Sequence, residues 1–158
     1  MYREFYFLIE VYFRVLNKKE AIYEIGIPIL IATISFVFNV TINKDLMLSI
    51  INIMPIIFGF AIVTIALLSK SENTNLKLTK NYFLDKKIFG KDLTLYKKLL
   101  TLFFYIAFIA MLELTISILT ITFEWYNKTS SFFNLLLIFH LLLVTIRNIT
   151  NLFFIELK

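Results

Sequence analysis

Four stretches of this chain are each long and apolar enough to cross a bilayer, and nothing else in the sequence restricts the fold as much. A span needs about 20 mainly apolar residues in helical form, because hydrocarbon offers no partner to an unpaired amide or carbonyl. Residues 25–42, 46–68, 99–123 and 132–155 satisfy that length. The predicted fold class is all-α, an integral-membrane four-helix bundle forming one membrane domain over residues 1–158. Composition agrees: 59% of the residues are hydrophobic and the mean hydropathy is +0.83, above the roughly half-apolar usage of soluble domains.

The connections "NKD" (43–45) and "EWYNKTSS" (124–131) are short, so each is expected to join an antiparallel helical hairpin. Lys and Arg sort by side. Arg3, Arg14, Lys18 and Lys19 precede the first span, eight lysines fall within 69–98, and Lys158 ends the chain, whereas only Lys44 and Lys128 lie on the other side. Positive charge is retained in the cytosol. Both termini and the 69–98 connection are therefore expected there, in a multi-pass protein of the bacterial inner (plasma) membrane, with Trp125 and Tyr126 at the outer interface. Arg3, Glu4 and Glu10 interrupt the first apolar stretch, which argues against a cleaved signal peptide.

The net charge of +5 belongs mainly to that inner surface, where anionic headgroups attract it, so the basic residues call for no nucleic-acid partner. Cysteine is absent, which excludes disulfides, zinc–thiolate sites, iron–sulfur clusters and thiol catalysis. There is no phosphate-cradling glycine loop and no His/Asp/Glu spacing typical of metal ligands. Ser117, His140 and Glu113 are the residue types of a hydrolytic triad, but no nucleophile turn accompanies them. No enzymatic activity, catalytic residue, cofactor or metal is expected.

Two pieces lie outside the spans. In "MYREFYFLIEVYFRVLNKKEAIYE" (1–24), Arg3, Glu10, Arg14, Asn17 and Glu24 fall on one helical face opposite Tyr, Phe, Leu, Ile and Val. Such an amphipathic helix can lie in the inner interface or pack on the bundle or a partner. In the 69–98 connection, Leu76, Phe83, Leu84 and Ile88 form a helical stripe, Gly90 reads as its stop, and Asp92 reads as the cap of a helix entering the third span. About 30 residues with so few core positions cannot fold alone. This segment is either a surface-lying linker or a docking element for lipid or a cytosolic protein through Lys77, Lys80, Lys86 and Lys87.

Inside the spans the polar residues stand out, because an ionised group at a helix centre costs about 2.5–3.5 kcal/mol on insertion scales. Glu113, Ser117, Thr120 and Glu124 recur at helical spacing in the third span, as do His140 and Arg147 in the fourth. With a rise of about 1.5 Å per residue, His140 lies within about 3 Å of Glu113 in depth and Arg147 about 7–8 Å nearer the cytosol. The expected pair is Glu113 with His140, with Arg147 of the same or a neighbouring subunit as competitor. These groups either bond helices together or serve ion passage, gating or proton sensing. Ser35, Asn39 and Asn43, followed by Asn52, Pro55 and Gly59, mark a kinked polar face in the first hairpin. There Pro55 removes an amide hydrogen and Gly59 permits close approach of a neighbour. That face is a pore wall, a subunit seam, or an ordinary kinked span.

The stretch "FGFAIVTIALLSKSEN" (58–73), together with an amphipathic helix ahead of "IPILIATISF", resembles small four-span bacterial membrane proteins of antiphage defence systems, including the membrane subunit of Kiwa. The resemblance implies a membrane effector or sensor working with a cytosolic partner, and it assigns no role to any single residue. Two functions follow as expectations. One is an oligomeric protein that perturbs or senses membrane integrity as a pore, ion-leak effector or sensor. The other is a passive anchor recruiting a cytosolic enzyme. A holin-like lysis protein fits less well, since only Lys158 stands where a charged tail belongs, and a small transporter requires an oligomer.

Overall fold

The computed structural model describes residues 2–70 and 74–156. Ser71, Glu72, Asn73 and Lys158, and the side chain of Leu76, lie outside the described residues. The elements are α1 (Tyr2–Val15), α2 (Lys18–Ala21), a π-turn (Ile22–Gly26), α3 (Ile27–Val37), α4 (Lys44–Lys70), α5 (Thr74–Asn81), β1 (Phe83–Ile88), β2 (Lys91–Thr94), α6 (Leu95–Thr122) and α7 (Lys128–Glu156). Four helical rods are long and apolar enough to cross a membrane: Lys18–Val37, Lys44–Lys70, Leu95–Thr122 and Lys128–Phe153. The all-α membrane bundle expected from the sequence is therefore present, with a two-stranded hairpin as its only sheet among the described residues.

The first rod differs from expectation at both ends. The amphipathic helix predicted over 1–24 stops at Val15, because Asn17 takes an extended conformation (φ −82°, ψ 159°) and starts a new helix. Its backbone amide donates to the carboxylate of Glu20, 2.8 Å away, half of the reciprocal arrangement that Asn-x-x-Glu makes at a helix start. Glu20 and Glu24 thus belong to the first membrane rod. The rod ends at Val37, short of 42.

Both short connections use the same device. Asn39 (φ 57°) follows α3 in the left-handed region, its amide bonds to the Phe36 carbonyl, and the amide of Val40 reaches back to Ser35 at 2.9 Å. Glu124 (φ 52°) does the same after α6, with Glu124 N–H on Ile121 and Trp125 N–H on Thr120 at 2.9 Å. These are Schellman closures, which satisfy the last carbonyls of each helix. Asn39 and Glu124 therefore cap helices and are not members of the membrane stripes predicted for them.

The 69–98 connection also departs from the predicted helix. Among the described residues between α4 and α6 only α5 is helical; from Phe83 the chain turns into a hairpin pairing Ile88 with Lys91 and Lys87 with Asp92. Phe89 (φ 50°) and Gly90 (φ 75°) form the two-residue turn, and positive φ at both positions is the mark of a type I′ hairpin. The period is two: Leu84, Lys86 and Ile88 are half-buried while Phe83, Asp85 and Lys87 are exposed. Gly90 is thus a turn residue, and Thr94, not Asp92, caps α6 by accepting the Lys97 amide.

Packing runs in the order α3, α7, α6, α4: α3 lies along α7, α7 along α6, and α6 along α4, while α3 and α4 are not packed together. The pair expected to form the first tight hairpin is therefore splayed. Half of the apolar window of α6 is buried against 17% for the first rod, which makes α6 the central helix. On α4 the buried Met47, Ile50, Met54, Ala61, Thr64 and Leu68 recur at three, four and seven, a seam directed at α6. Ala61, fully buried in that seam, keeps the contact close, since small residues let membrane helices approach.

Candidate functional site

Charge collects at the end of the bundle that carries α1, the hairpin and the lysines. Lys98 Nζ, at the start of α6, lies 2.7 Å from Glu20 Oε1. Arg147, near the end of α7, places Nη1 3.3 Å from Glu20 Oε2 and Nε 2.6 Å from Glu24 Oε1. The guanidinium N–H groups are not aligned for hydrogen bonding, so these two contacts are Coulombic rather than directional. Glu24 also accepts a hydrogen bond of 2.7 Å from the Tyr12 hydroxyl. Two carboxylates of the first rod thus face one cation each from α6 and α7, and α1 is fastened to them through Tyr12. Burial, reinforced by the Glu24 carboxylate, holds the Tyr12 phenol well above its ordinary titration range. Its ring stacks on Tyr105 with centroids 3.5 Å apart and planes 3° from parallel.

Pro28 explains how His140 enters this cluster. Having no amide hydrogen, proline removes the donor that an α-helix would aim at the carbonyl four residues back, here Glu24. His140 Nδ1 lies 2.6 Å from that carbonyl and its Nε2 lies 2.9 Å from the Tyr105 hydroxyl. A neutral ring with its hydrogen on Nδ1 donates to the Glu24 carbonyl and accepts from Tyr105. Glu24 is therefore held at both ends, backbone by His140 and side chain by Arg147 and Tyr12.

The expected Glu113–His140 pair does not form. Ser117 of α6 meets Asn134 of α7, so Glu113, one turn deeper, stands level with about Ile138. His140 is close in depth but two residues further on, about 200° round the helix at about 100° per residue, and it faces the first rod. Depth is legible from residue counting, whereas helical phase is set by packing. Arg147 likewise pairs with Glu20 and Glu24, not Glu113.

Glu113, Ser117 and Thr120 do share one buried face of α6. Ser117 Oγ lies 3.3 Å from both Glu113 Oε1 and Asn134 Oδ1. Asn134 Nδ2 donates to the Ser130 carbonyl at 2.8 Å, and the Ser130 and Thr120 hydroxyls are 3.2 Å apart. Glu113 Oε2 has no hydrogen-bond partner among the described residues. Asn148, fully buried on α7, also makes no side-chain hydrogen bond among them.

The predicted kink and packing residues are dispersed. Asn39 is an exposed cap. Asn52 and Pro55 lie on the exposed face of α4, and a methyl group added at Gly59 would meet nothing within 4 Å, so that glycine makes no close approach within the chain. Three of the four predicted docking lysines have internal roles. Lys86 Nζ donates to the Leu16 carbonyl at 2.7 Å, closing the end of α1, and burial lowers its ammonium below the usual lysine value. Lys80 lies 5.2 Å over the Tyr96 ring, and Lys87 faces Asp92 across the hairpin at 3.7 Å. Lys77 is exposed.

Sequence reasoning missed Glu20, Lys98, Tyr12, Tyr105 and Asn134. A signal existed for Glu20 and Glu24: two acids four apart directly before an apolar run, with a proline four residues beyond the second. No protein-family profile, curated protein or solved structure matches the chain.

Proposed function

We propose that this chain is a non-enzymatic membrane anchor and sensor, with its termini and the hairpin face on the cytosolic side of a bacterial inner membrane, where they present a docking platform to a soluble protein. The observation that carries this reading is the charge cluster of Glu20, Glu24, Lys98 and Arg147, in which Glu24 and Lys98 are buried and Glu20 and Arg147 half-buried. It ties the platform of α1 and the hairpin to the first, third and fourth membrane rods, so a load or displacement at the platform bears on the bundle. Glu113 favours the same reading over conduction, because it is enclosed between α6 and α7 and its neighbours are uncharged.

Oligomerisation is part of the proposal. Asn52 is exposed in the apolar body of α4 and has no hydrogen-bond partner among the described residues. An amide facing hydrocarbon is costly, and a second subunit bringing a polar group to this face would satisfy it. In the antiphage setting implied by the sequence resemblance, the soluble partner would be a defence component.

The test pairs reconstitution with capture. Purified protein in liposomes is expected to leave an ion gradient intact, and tagged full-length chain is expected to retain a soluble partner on cell membranes that is lost when residues 83–94 are replaced by a short flexible linker. A steady leak that disappears in Glu113→Gln would overturn the anchor reading in favour of a pore.

A further inference from the structure

We propose that Glu113 is a proton-binding site, a neutral carboxylic acid whose hydrogen begins a one-way chain through Ser117 to Asn134 in the α6–α7 seam. The hydrogens available in the seam decide its protonation state. Asn134 donates through Nδ2 to the Ser130 carbonyl at 2.8 Å and lies 3.4 Å from the Ser130 hydroxyl, so its orientation is fixed and Oδ1 is the atom turned to Ser117. Ser117 Oγ stands 3.3 Å from that oxygen and 3.3 Å from Glu113 Oε1. A serine hydroxyl carries one hydrogen. Were Glu113 ionised, that hydrogen would serve one acceptor and leave the other with none, and Oε2 has no donor at all among the described residues.

Protonation of Oε1 removes the shortage. The carboxyl donates to Ser117 Oγ, Ser117 donates to Asn134 Oδ1, and Asn134 donates to Ser130, so the carboxyl, the Ser117 hydroxyl and the Asn134 amide each have an acceptor. No cation relieves the alternative. Among the described residues Glu113 forms no ion pair. Between Leu46 and Ser69 α4 has no titratable side chain, and neither has α3 between Ile27 and Val37. On α7 His140 and Arg147 are engaged with the first rod. On α1 Glu10 and Arg14 pair with each other, and Tyr12 is bound to Glu24. Lys97, Lys98 and Tyr96 sit at the far end of α6, and Tyr105 is bound to His140. A fully buried carboxylate without a cation and with one shared hydrogen bond is strongly disfavoured. Loss of this proton would leave an unpaired charge in the seam, so its occupancy is tied to the contact between α6 and α7.

Infrared spectroscopy of the full chain in bilayers at neutral pH tests the site. One protonated-carboxyl C=O band per chain is expected, shifted to lower frequency by H/D exchange, lost in Glu113→Gln and moved in Ser117→Ala. Gln keeps the size and supplies an amide hydrogen to Ser117, so this variant retains the seam. Should it not assemble, wild-type protein with labelled glutamate carboxyls, compared with Ser117→Ala, gives the same decision. Absence of the band at neutral pH, persistence of the band in Glu113→Gln, or its loss on adding sodium at constant pH overturns the proposal, the last by assigning the site to a metal cation.

Discussion

Replacing Arg147 with methionine removes a cation from two carboxylates at once while keeping an unbranched stem to fill the space. The consequences at the two acids differ. Glu20 retains Lys98 at 2.7 Å and has a side chain 21% exposed, so water and the remaining ammonium offset part of the loss. Glu24 is 3% exposed and retains only the Tyr12 hydroxyl at 2.7 Å. Removing one partner of a buried pair typically costs about 3–5 kcal/mol, because the other charge is stranded. The expected change in the unfolding equilibrium is roughly a hundred- to several-thousand-fold, most of it from Glu24. The assay is reversible unfolding in mixed micelles followed by helical circular dichroism. Arg147→Met with Glu24→Gln is expected to recover most of the loss, since a neutral amide no longer needs the guanidinium and can still accept from Tyr12. Lys98→Met should cost less than Arg147→Met. A loss below about 1 kcal/mol for Arg147→Met, the range of exposed pairs, would refute the reading that Arg147 compensates a buried Glu24 carboxylate.

Three further outcomes follow from the same contacts. Tyr12→Phe keeps the stacking on Tyr105 but deprives a buried carboxylate of its donor, and a loss of about 1.5–3 kcal/mol is expected in the same unfolding assay; a neutral result would place the value of Tyr12 in its ring alone. His140→Phe strands the Glu24 carbonyl at a cost of about 1–3 kcal/mol, and adding Pro28→Ala, which supplies the missing amide hydrogen, should reduce that loss; failure of the rescue would separate Pro28 from the role of His140. Gly90→Ala meets no neighbouring atom within 4 Å but must hold φ near +75°, so a local loss of about 1–2 kcal/mol should appear as faster hydrogen exchange in β1 and β2 with exchange in α6 unchanged.

The length and number of the apolar runs were readable because bilayer thickness imposes them on each helix separately. Their ends were less so. Glu24 read as part of the polar face of the amphipathic helix and Glu20 was passed over, yet both lie inside the first rod, because their cost is met by Lys98 and Arg147 from helices far along the chain. The hairpin was missed for a related reason: Phe83, Leu84 and Ile88 satisfy a helical period as well as the alternation of Leu84, Lys86 and Ile88, and the Phe89–Gly90 pair is the feature that decides between them. The Glu113 site was half legible. Its partners on its own helix follow from spacing, but the choice of Asn134 over His140 depends on how α7 is rotated, which a single chain's periodicity does not encode.

The placement of α3 and α4 at opposite ends of the packing order bears on biogenesis. A ribosome that has delivered residues only as far as Lys70 has inserted two rods that are not packing neighbours in the finished protein. The acids of the first rod would at that stage lack both cations, which arrive only with Lys98 and Arg147. The first rod is therefore a client that must remain soluble in lipid, without its packing partner α7 and exposed to quality control, until synthesis is almost complete. A chain truncated after α6 is consequently expected to be cleared faster than the full-length chain, because it omits the helix along which α3 packs.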